Sequence, residues 1–439
     1  MLLSRSAFGL AWVVILAVVA LVVFRTMGGS PPSETAGIGT QQELAGRLCL
    51  GLSAVSPAQA RLNARNLGDG PIDSIASAIV IAAFDGPDAG EATLEKLDGA
   101  SDDTVRRLLP LVRDAIARAR STDEASPMAE TDAATLTSNL GWFGDLAIAL
   151  SNPVSLQEMQ ESAVRTLVAM MTFGLVTMCI GVAGLVGLVV LITIATKSAK
   201  RSWSMRYPGV YAETFALWLA LFTIAQVVLL PRAADHLRLL VAIALFFGSL
   251  VVLVWPVVRG VPWSQVRRDV GLTRFSPMEI LSGLATYAMS LPFLVVGLTI
   301  TIVLGFLIEA MGGAVGQPSH PVQQQLSEAN PMELLQLFVL AVVAAPVVEE
   351  IVFRGVLYTH LRSASRRLPW FVSCGLSAVV AGVIFAVIHP QGLVFAPVLA
   401  GMATGFAIGR EWRGSIYASI VAHAVNNAVV LGLNVFVIG

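Results

Sequence analysis

The sequence predicts an all-α protein, a polytopic bundle of transmembrane helices with an all-α extramembrane domain inserted after the first span. Of its 439 residues, 56% are hydrophobic and only 13% are charged, and the mean hydropathy is +0.76. Apolar runs of about 20 residues, the length that crosses a bilayer, recur along most of the chain. This composition excludes an ordinary soluble globular protein.

The first apolar run, at 7–24, predicts a membrane anchor within residues 1–26. Arg5 precedes the run, and no clear small-residue cleavage site follows it. A secretory signal peptide ends in such a site. We therefore favour a retained anchor, with a cleaved signal peptide as the alternative.

Residues 27–163 predict an acidic helical domain outside the membrane. The segment has 19 acidic and 9 basic residues, a net charge of −10, and no run long enough to span a bilayer. It opens with the linker-like G-G-S-P-P-S-E-T-A-G at 28–37. Helical apolar spacing is present at 44–52, 75–84 and 104–119. We expect this domain to be open to a protein partner.

Eight further apolar runs predict membrane spans, which makes about nine in all. They lie near 167–195, 208–230, 237–258, 279–308, 333–357, 370–389, 392–409 and 415–437. We divide this part of the chain into additional transmembrane helices, residues 164–274, and a C-terminal core, residues 275–439.

The distribution of basic residues predicts the orientation in the membrane. Alternate loops are basic, whereas the loop at 309–332 has no Lys or Arg. The basic loops contain Lys197, Lys200, Arg201 and Arg206; Arg259, Arg267, Arg268 and Arg274; Arg362, Arg366 and Arg367; and Arg410 and Arg413. Positive loops stay in the cytoplasm. We expect an integral protein of a bacterial cytoplasmic membrane, with residues 27–163 on the non-cytoplasmic side.

Charged residues interrupt one span, in the stretch A-P-V-V-E-E-I-V-F-R-G at 345–355. A charge at the bilayer centre costs at least about 2.5 kcal/mol, so such residues usually face a bundle interior or a hydrated cavity. A spacing of four places Glu350 and Arg354 on one helix face. Pro346 has no N–H, so we expect either a bend that aims the carboxylates or simply a tolerated kink.

Two of the five histidines belong to the same group of spans. His389 closes F-A-V-I-H, four residues after Phe385, and His423 opens H-A-V-N-N, one helical turn before Asn427. The other three histidines are expected in loops or at helix ends, on the surface: His236, His320 and His360.

These residue types suit hydrolysis. A carboxylate such as Glu349 can act as a general base toward water, and a histidine with an amide can donate hydrogen bonds to an oxyanion. One glutamate and two histidines are also the ligand set of a catalytic zinc, with the second glutamate as the base. The residue types fit both chemistries.

Other interpretations are less specific. A buried Glu–Arg pair can simply join helices, and an intramembrane His or Asn can bond one helix to another. A transporter could use the same groups to bind an ion or relay protons, although no inverted repeat of broken helices is evident. A non-catalytic membrane scaffold or immunity factor is the third alternative.

At these residues the sequence resembles the CPBP family of intramembrane proteases, the CAAX-processing and bacteriocin-processing group that includes type II CAAX prenyl endopeptidases. The family pattern E-E-x-x-x-R, F-x-x-x-H and H-x-x-x-N stands here as E-E-I-V-F-R at 349–354, F-A-V-I-H at 385–389 and H-A-V-N-N at 423–427. The resemblance covers about residues 275–437. It does not extend to the N-terminal anchor, the acidic domain or the next three spans.

The resemblance implies an endopeptidase in which Glu349 and His389 activate water and His423 and Asn427 form the oxyanion site. The supporting residues are Glu350, Arg354 and Phe385. It implies a membrane-associated peptide or a prenylated protein as substrate. We expect no nucleic acid as a partner. A single zinc on Glu349, His389 and His423 is the alternative to a metal-free glutamate, and we favour the latter.

Overall fold

The chain is helical wherever its structure is described. A computed structural model describes residues 2–27, 39–68, 70–100, 102–120, 128–197, 207–311, 330–389 and 391–438. Within these ranges the residues form helices, turns and short connections but no strand, which confirms the all-α prediction. Some features of the sequence lie outside the described residues: the linker at 28–37, most of the loop at 309–332, His320, Lys200, Arg201 and Arg206.

The chain divides into two compact units, residues 32–177 and residues 1–31 with 178–439. Helix α1, Leu2–Met27, belongs to the second of these. The helices of the 32–177 unit are α2 (Thr40–Ser53), α3 (Pro57–Ala64), α4 (Pro71–Asp85), α5 (Pro87–Leu94), α6 (Asp103–Arg118), α7 (Glu130–Leu140), α8 (Trp142–Ala149) and the first part of α9 (Pro153–Lys197). The helical segments predicted at 44–52, 75–84 and 104–119 lie in α2, α4 and α6.

Helix α6 illustrates why the 32–177 unit folds. The Asp102 side chain caps its first turn by accepting a hydrogen bond of 2.9 Å from the Val105 amide. The buried residues recur every three or four positions along the helix, at Val105, Leu108, Val112 and Ile116. This apolar stripe packs into a core that also contains Ile79 of α4 and Phe143 of α8, so α6 is held by its buried face.

The other unit contains the remaining helices. They are the rest of α9, α10 (Pro208–Ile224), α11 (Arg238–Ser249), α12 (Trp255–Val258), α13 (Trp263–Val270), α14 (Met278–Ala310), α15 (Pro331–Phe338), α16 (Ala345–Glu350), α17 (Tyr358–Ala364), α18 (Trp370–Val387), α19 (Ala396–Arg413) and α20 (Tyr417–Ile438).

Within the described residues, eight helical stretches are long and apolar enough to cross a membrane. They are Pro153–Ile194, Pro208–Arg232, Asp235–Val258, Met278–Ile308, Pro331–Ala364, Trp370–Val387, Leu393–Arg413 and Tyr417–Phe436. The predicted anchor corresponds to α1, in which the apolar stretch Gly9–Phe24 is shorter than these eight. The protein is therefore an integral membrane protein.

Helices α14 and α19 approach closely because glycine replaces side chains at their contact. A Cβ atom on Gly405 would lie 2.3 Å from Ser290 Cβ, and one on Gly401 would lie 2.3 Å from the Phe293 carbonyl oxygen. On α14, Gly297 meets the Pro397 backbone in the same way. Small residues are the usual basis of tight helix packing in membranes. This contact sets the position of α19 beside the predicted site.

The span Pro331–Ala364 is not a uniform α-helix. It begins at a capping box, in which the Asn330 side chain accepts from the Glu333 amide and Glu333 accepts from the Asn330 amide. Two π-helical segments, Val339–Ala344 and Ile351–Leu357, then lie on either side of α16. Such segments are rare and are frequent at functional sites.

Of these eight stretches, this span is the most enclosed. In its most apolar part, 44% of the residues are buried inside the protein. Its Phe353 lies edge-on to Phe385 of α18 and to Phe215 of α10. The charged residues of α16 and the following π segment are therefore surrounded by other helices.

Candidate active site

Glu349 and Glu350 are adjacent on α16 but lie in different environments. The Glu349 side chain retains 12% of its exposure, whereas the Glu350 side chain is completely buried. His389, just after α18, is the other partly open group, at 19%. The candidate site therefore has an accessible part around Glu349 and His389 and an enclosed part around Glu350.

Three spans bring Glu349, His389 and His423 together. Glu349 Oε1 lies 3.9 Å from His389 Nε2, and Glu349 Oε2 lies 3.7 Å from His423 Nε2. Both distances exceed a direct hydrogen bond. Each is short enough for one small group to bridge the two atoms.

The orientation of both imidazole rings is fixed from behind. His389 Nδ1 lies 2.6 Å from the Phe385 carbonyl oxygen, and His423 Nδ1 lies 2.8 Å from Glu350 Oε1. A carbonyl or an ionised carboxylate oxygen only accepts hydrogen bonds, so each Nδ1 is the donor. In the neutral form of each ring, Nε2 is then an acceptor directed toward Glu349.

Glu350, Arg354 and His423 form a buried polar network. Arg354 Nη1 donates to Glu350 Oε1 at 2.8 Å, the same oxygen that accepts from His423. Arg354 Nη2 donates to the Ala403 carbonyl of α19 at 2.7 Å. This network joins three helices, and it stabilises charges that would be costly if buried alone.

Two phenylalanine rings enclose this network. The Arg354 guanidinium carbon lies 5.2 Å from the centroid of Phe385 and 5.6 Å from that of Phe406, within range of cation–π attraction. Phe406 also stacks on His423, with centroids 5.1 Å apart and planes inclined by 25°. Phe406 is not predictable from the sequence, because no motif marks it and its position depends on how α19 is rotated.

Asn427 lies one helical turn beyond His423 on α20, but its amide is not hydrogen-bonded to that histidine. Its Nδ2 donates to the Ala341 carbonyl oxygen at 2.8 Å, inside the first π segment. Its Oδ1 accepts from Asn426 Nδ2 at 3.2 Å. Neither Asn426 nor the Ala341 carbonyl was among the residues predicted for the site. The doubled Asn in H-A-V-N-N was the only available signal.

Glu349, His389 and His423, the residues of the alternative zinc site, have the donor types that zinc prefers. In the ranges that the structure describes, no group of three or more His, Cys, Asp or Glu side chains is placed to hold a metal ion.

The surface prediction for His360 is wrong. The residue is 1% exposed, and its Nδ1 donates to the Pro208 carbonyl at 2.7 Å. It lies in α17 and packs against α10. The hydrophobic periodicity of the sequence here does not distinguish buried positions from exposed ones. His236, in contrast, is exposed as expected.

A second buried ion pair was not predicted either. Arg362 Nη2 donates to Glu411 Oε1 at 2.8 Å, and Tyr358 and Trp370 donate to the same carboxylate. These three bonds join α17, α18 and α19 to one another. We therefore regard it as part of the scaffold.

Comparison with known proteins addresses the family. Residues 331–429 match the family model described as type II CAAX prenyl endopeptidase Rce1-like. No curated protein matches the chain, and no solved structure does. The matched segment contains every residue of the candidate site, and it excludes the 32–177 unit. Residues 331–429 are therefore similar to the type II CAAX prenyl endopeptidases, and this similarity supports the resemblance to the CPBP family of CAAX proteases.

Proposed function

We propose that the protein is an intramembrane endopeptidase that hydrolyses peptide bonds of membrane-associated or prenylated substrates with a water molecule activated by Glu349 and His389. The observation that carries this proposal is the arrangement of Glu349 between His389 Nε2 and His423 Nε2, at 3.9 Å and 3.7 Å. The match of residues 331–429 to a peptidase family model supports the reaction class.

The geometry suits activation of water. The Glu349 carboxylate and the two Nε2 atoms are acceptors in their basic forms, so they do not bond one another directly. A water molecule that donates to Glu349 and to His389 satisfies both, and this polarises its oxygen toward a substrate carbonyl. A carboxylate base within reach of such a water contributes about 10²- to 10⁴-fold to the rate.

The remaining polar groups would stabilise the oxyanion. In its doubly protonated form His423 donates from Nδ1 to Glu350 and from Nε2 to the oxyanion. Asn427 has a second N–H besides the one that it gives to Ala341. Removing one such donor typically costs about 10²- to 10³-fold in kcat.

The reaction balances with one water molecule. The water oxygen forms a bond to the carbonyl carbon while its proton passes to Glu349. The tetrahedral intermediate then collapses with cleavage of the C–N bond, and Glu349 returns the proton to the leaving amine. A carboxylic acid and an amine result, and the proton of the acid passes to the amine to give a carboxylate and an ammonium. Glu349 is again ionised for the next cycle.

The 32–177 unit and the orientation of the protein belong to the same proposal. We infer that this acidic unit lies on the non-cytoplasmic side of a bacterial cytoplasmic membrane, where it is open to a substrate or another protein partner. Its charge supports this orientation, since the basic residues outside it concentrate in the loops expected in the cytoplasm.

The test is cleavage of a fluorogenic peptide panel, farnesylated and unmodified, by the detergent-purified full chain. We expect Glu349→Gln and His389→Ala to lower kcat by at least about 10²-fold. His236→Ala, which removes an exposed histidine far from α16 in sequence, is the matched control and retains wild-type activity. Each protein is measured with and without a chelator.

The outcomes separate the alternatives. Loss of activity in both site variants, with the control active, supports the proposal, and sensitivity to the chelator would assign a metal to the site. If no peptide is cleaved, or if Glu349→Gln cleaves as well as wild type, the proposal is wrong. Comparison of the farnesylated with the unmodified peptides identifies the substrate class.

A further inference from the structure

The first π segment ends where proline interrupts its hydrogen-bond register. The Ala345 amide donates to the Leu340 carbonyl, five residues earlier. The next pair in this register would join the amide of residue 346 to the Ala341 carbonyl. Residue 346 is proline, which has no N–H. The Ala341 carbonyl instead accepts from Asn427 Nδ2 at 2.8 Å.

This replacement has an energetic basis. A backbone carbonyl inside a membrane bundle is costly when it has no donor, because no bulk water is available to replace one. Pro346 is buried, and the α16 backbone around it is enclosed by neighbouring helices. Any other residue type at position 346 would bring an N–H to the carbonyl and compete with Asn427.

The other end of the Asn427 amide is also fixed. Its Oδ1 accepts from Asn426 Nδ2 at 3.2 Å, so the amide plane is held from both sides. An amide nitrogen has two hydrogens. With one directed at Ala341, the direction of the second is determined, on the helix that also carries His423.

We propose that Pro346 is a positioning residue: by leaving the Ala341 carbonyl without a backbone donor, it makes that carbonyl the anchor that orients the Asn427 amide. The catalytic consequence rests on the proposed function, in which Asn427 faces the oxyanion. The coupling between Pro346 and Asn427 does not depend on it, and can be measured in an inactive protein.

The first experiment is a double-mutant cycle on thermal unfolding of the full chain in detergent. In the wild-type background, Asn427→Leu leaves the Ala341 carbonyl unpaired, and we expect Tm to fall by about 2 to 10 °C. In the Pro346→Ala background the new N–H of residue 346 donates to the Ala341 carbonyl in place of Asn427. There the same substitution should lower Tm by less than half as much.

A matched control tests whether any intrahelical proline behaves in this way. Pro292 lies inside α14, and Pro292→Ala should leave the effect of Asn427→Leu unchanged. If Asn427→Leu does not fold, Asn427→Ala serves in the cycle. Equal Tm shifts in the wild-type and Pro346→Ala backgrounds would overturn the proposal.

The second experiment measures cleavage of the most active peptide from the panel described above. We expect Pro346→Ala to lower kcat by about 10- to 100-fold with KM unchanged, and to have no further effect on the residual rate of Asn427→Leu. An effect of equal size in both backgrounds would assign Pro346 a general role in helix shape and contradict the proposal. Coupling in Tm with no cleavage by any variant would refute the proposed function and leave the positioning role intact.

Discussion

At the scale of single residues, Glu350 determines how the two parts of the site are joined. One of its oxygens accepts from both Arg354 and His423, so the orientation of His423 depends on a carboxylate that never touches the accessible region. The Glu349 carboxylate, one residue earlier, has no such constraint and faces the two Nε2 atoms. The two neighbouring glutamates therefore make different contacts, because their side chains point in different directions.

The first prediction concerns this buried pair. Arg354→Met leaves the Glu350 carboxylate with an uncompensated charge, and we expect it to destabilise the protein by about 3 to 5 kcal/mol. The double variant Glu350→Gln with Arg354→Met removes both charges and should recover a large part of that loss. Thermal unfolding in detergent measures both effects. If the double variant is no more stable than Arg354→Met alone, the two residues are not coupled.

Sequence spacing predicted part of this network and could not predict the rest. The pairs Glu350 with Arg354, and His423 with Asn427, lie four residues apart on single helices, so periodicity alone places them on one face. The contacts between spans depend on the rotation of each helix about its axis. For that reason Phe406 against His423, and Arg354 against the Ala403 carbonyl, became evident only in the structure.

At the scale of elements, the contact between α14 and α19 positions the residues around Arg354. Ala403 and Phe406, which both meet that arginine, lie on either side of Gly405. The close approach at this glycine therefore holds one wall of the site in place.

The second prediction follows from this contact. Gly405→Leu places a side chain where a Cβ alone would lie 2.3 Å from Ser290 Cβ, so we expect a loss of about 1 to 3 kcal/mol in stability and a fall in activity. Gly375→Leu on α18 is the control, because a Cβ there meets nothing within 4 Å. Equal Tm and equal activity in the two variants would show that the helices do not need this glycine.

The elements themselves were largely predictable. Hydropathy located the spans to within a few residues in most cases, since a stretch of about 20 apolar residues has few other uses. The first of the eight is the exception, because α9 begins at Pro153 and continues into the apolar run without a break. The amino-acid composition does not reveal the π segments. In the sequence, Pro346 alone indicated that the helix around Glu349 is irregular.

At the scale of the whole molecule, the charge asymmetry leads to a third prediction. A cysteine introduced as Lys96→Cys, on an exposed position of the 32–177 unit, should react with a membrane-impermeant maleimide in spheroplasts of a bacterial host. Arg367→Cys, in an exposed basic turn, should react only after the membrane is permeabilised. If position 367 reacts in intact spheroplasts and position 96 reacts only after permeabilisation, the true topology is the inverse of the proposed one.

The native chain supplies the background control for this labelling. Cys49 lies in the same unit as position 96, but its side chain is 5% exposed, and burial raises the pKa of its thiol to about 11. Maleimides react with the thiolate, so Cys49 should remain unlabelled at neutral pH. Labelling of the native protein at Cys49 would indicate that this unit opens in solution.

The two π segments have a consequence for related genes. Each π turn accommodates one residue more than an α turn, so deletion of a single codon between positions 339 and 344 would restore α geometry there. An α-helix turns by about 100° per residue, and the Ala341 carbonyl would then rotate away from Asn427 while every letter of E-E-I-V-F-R stayed in place. A family member can therefore lose its catalytic geometry through a length change upstream of an intact motif.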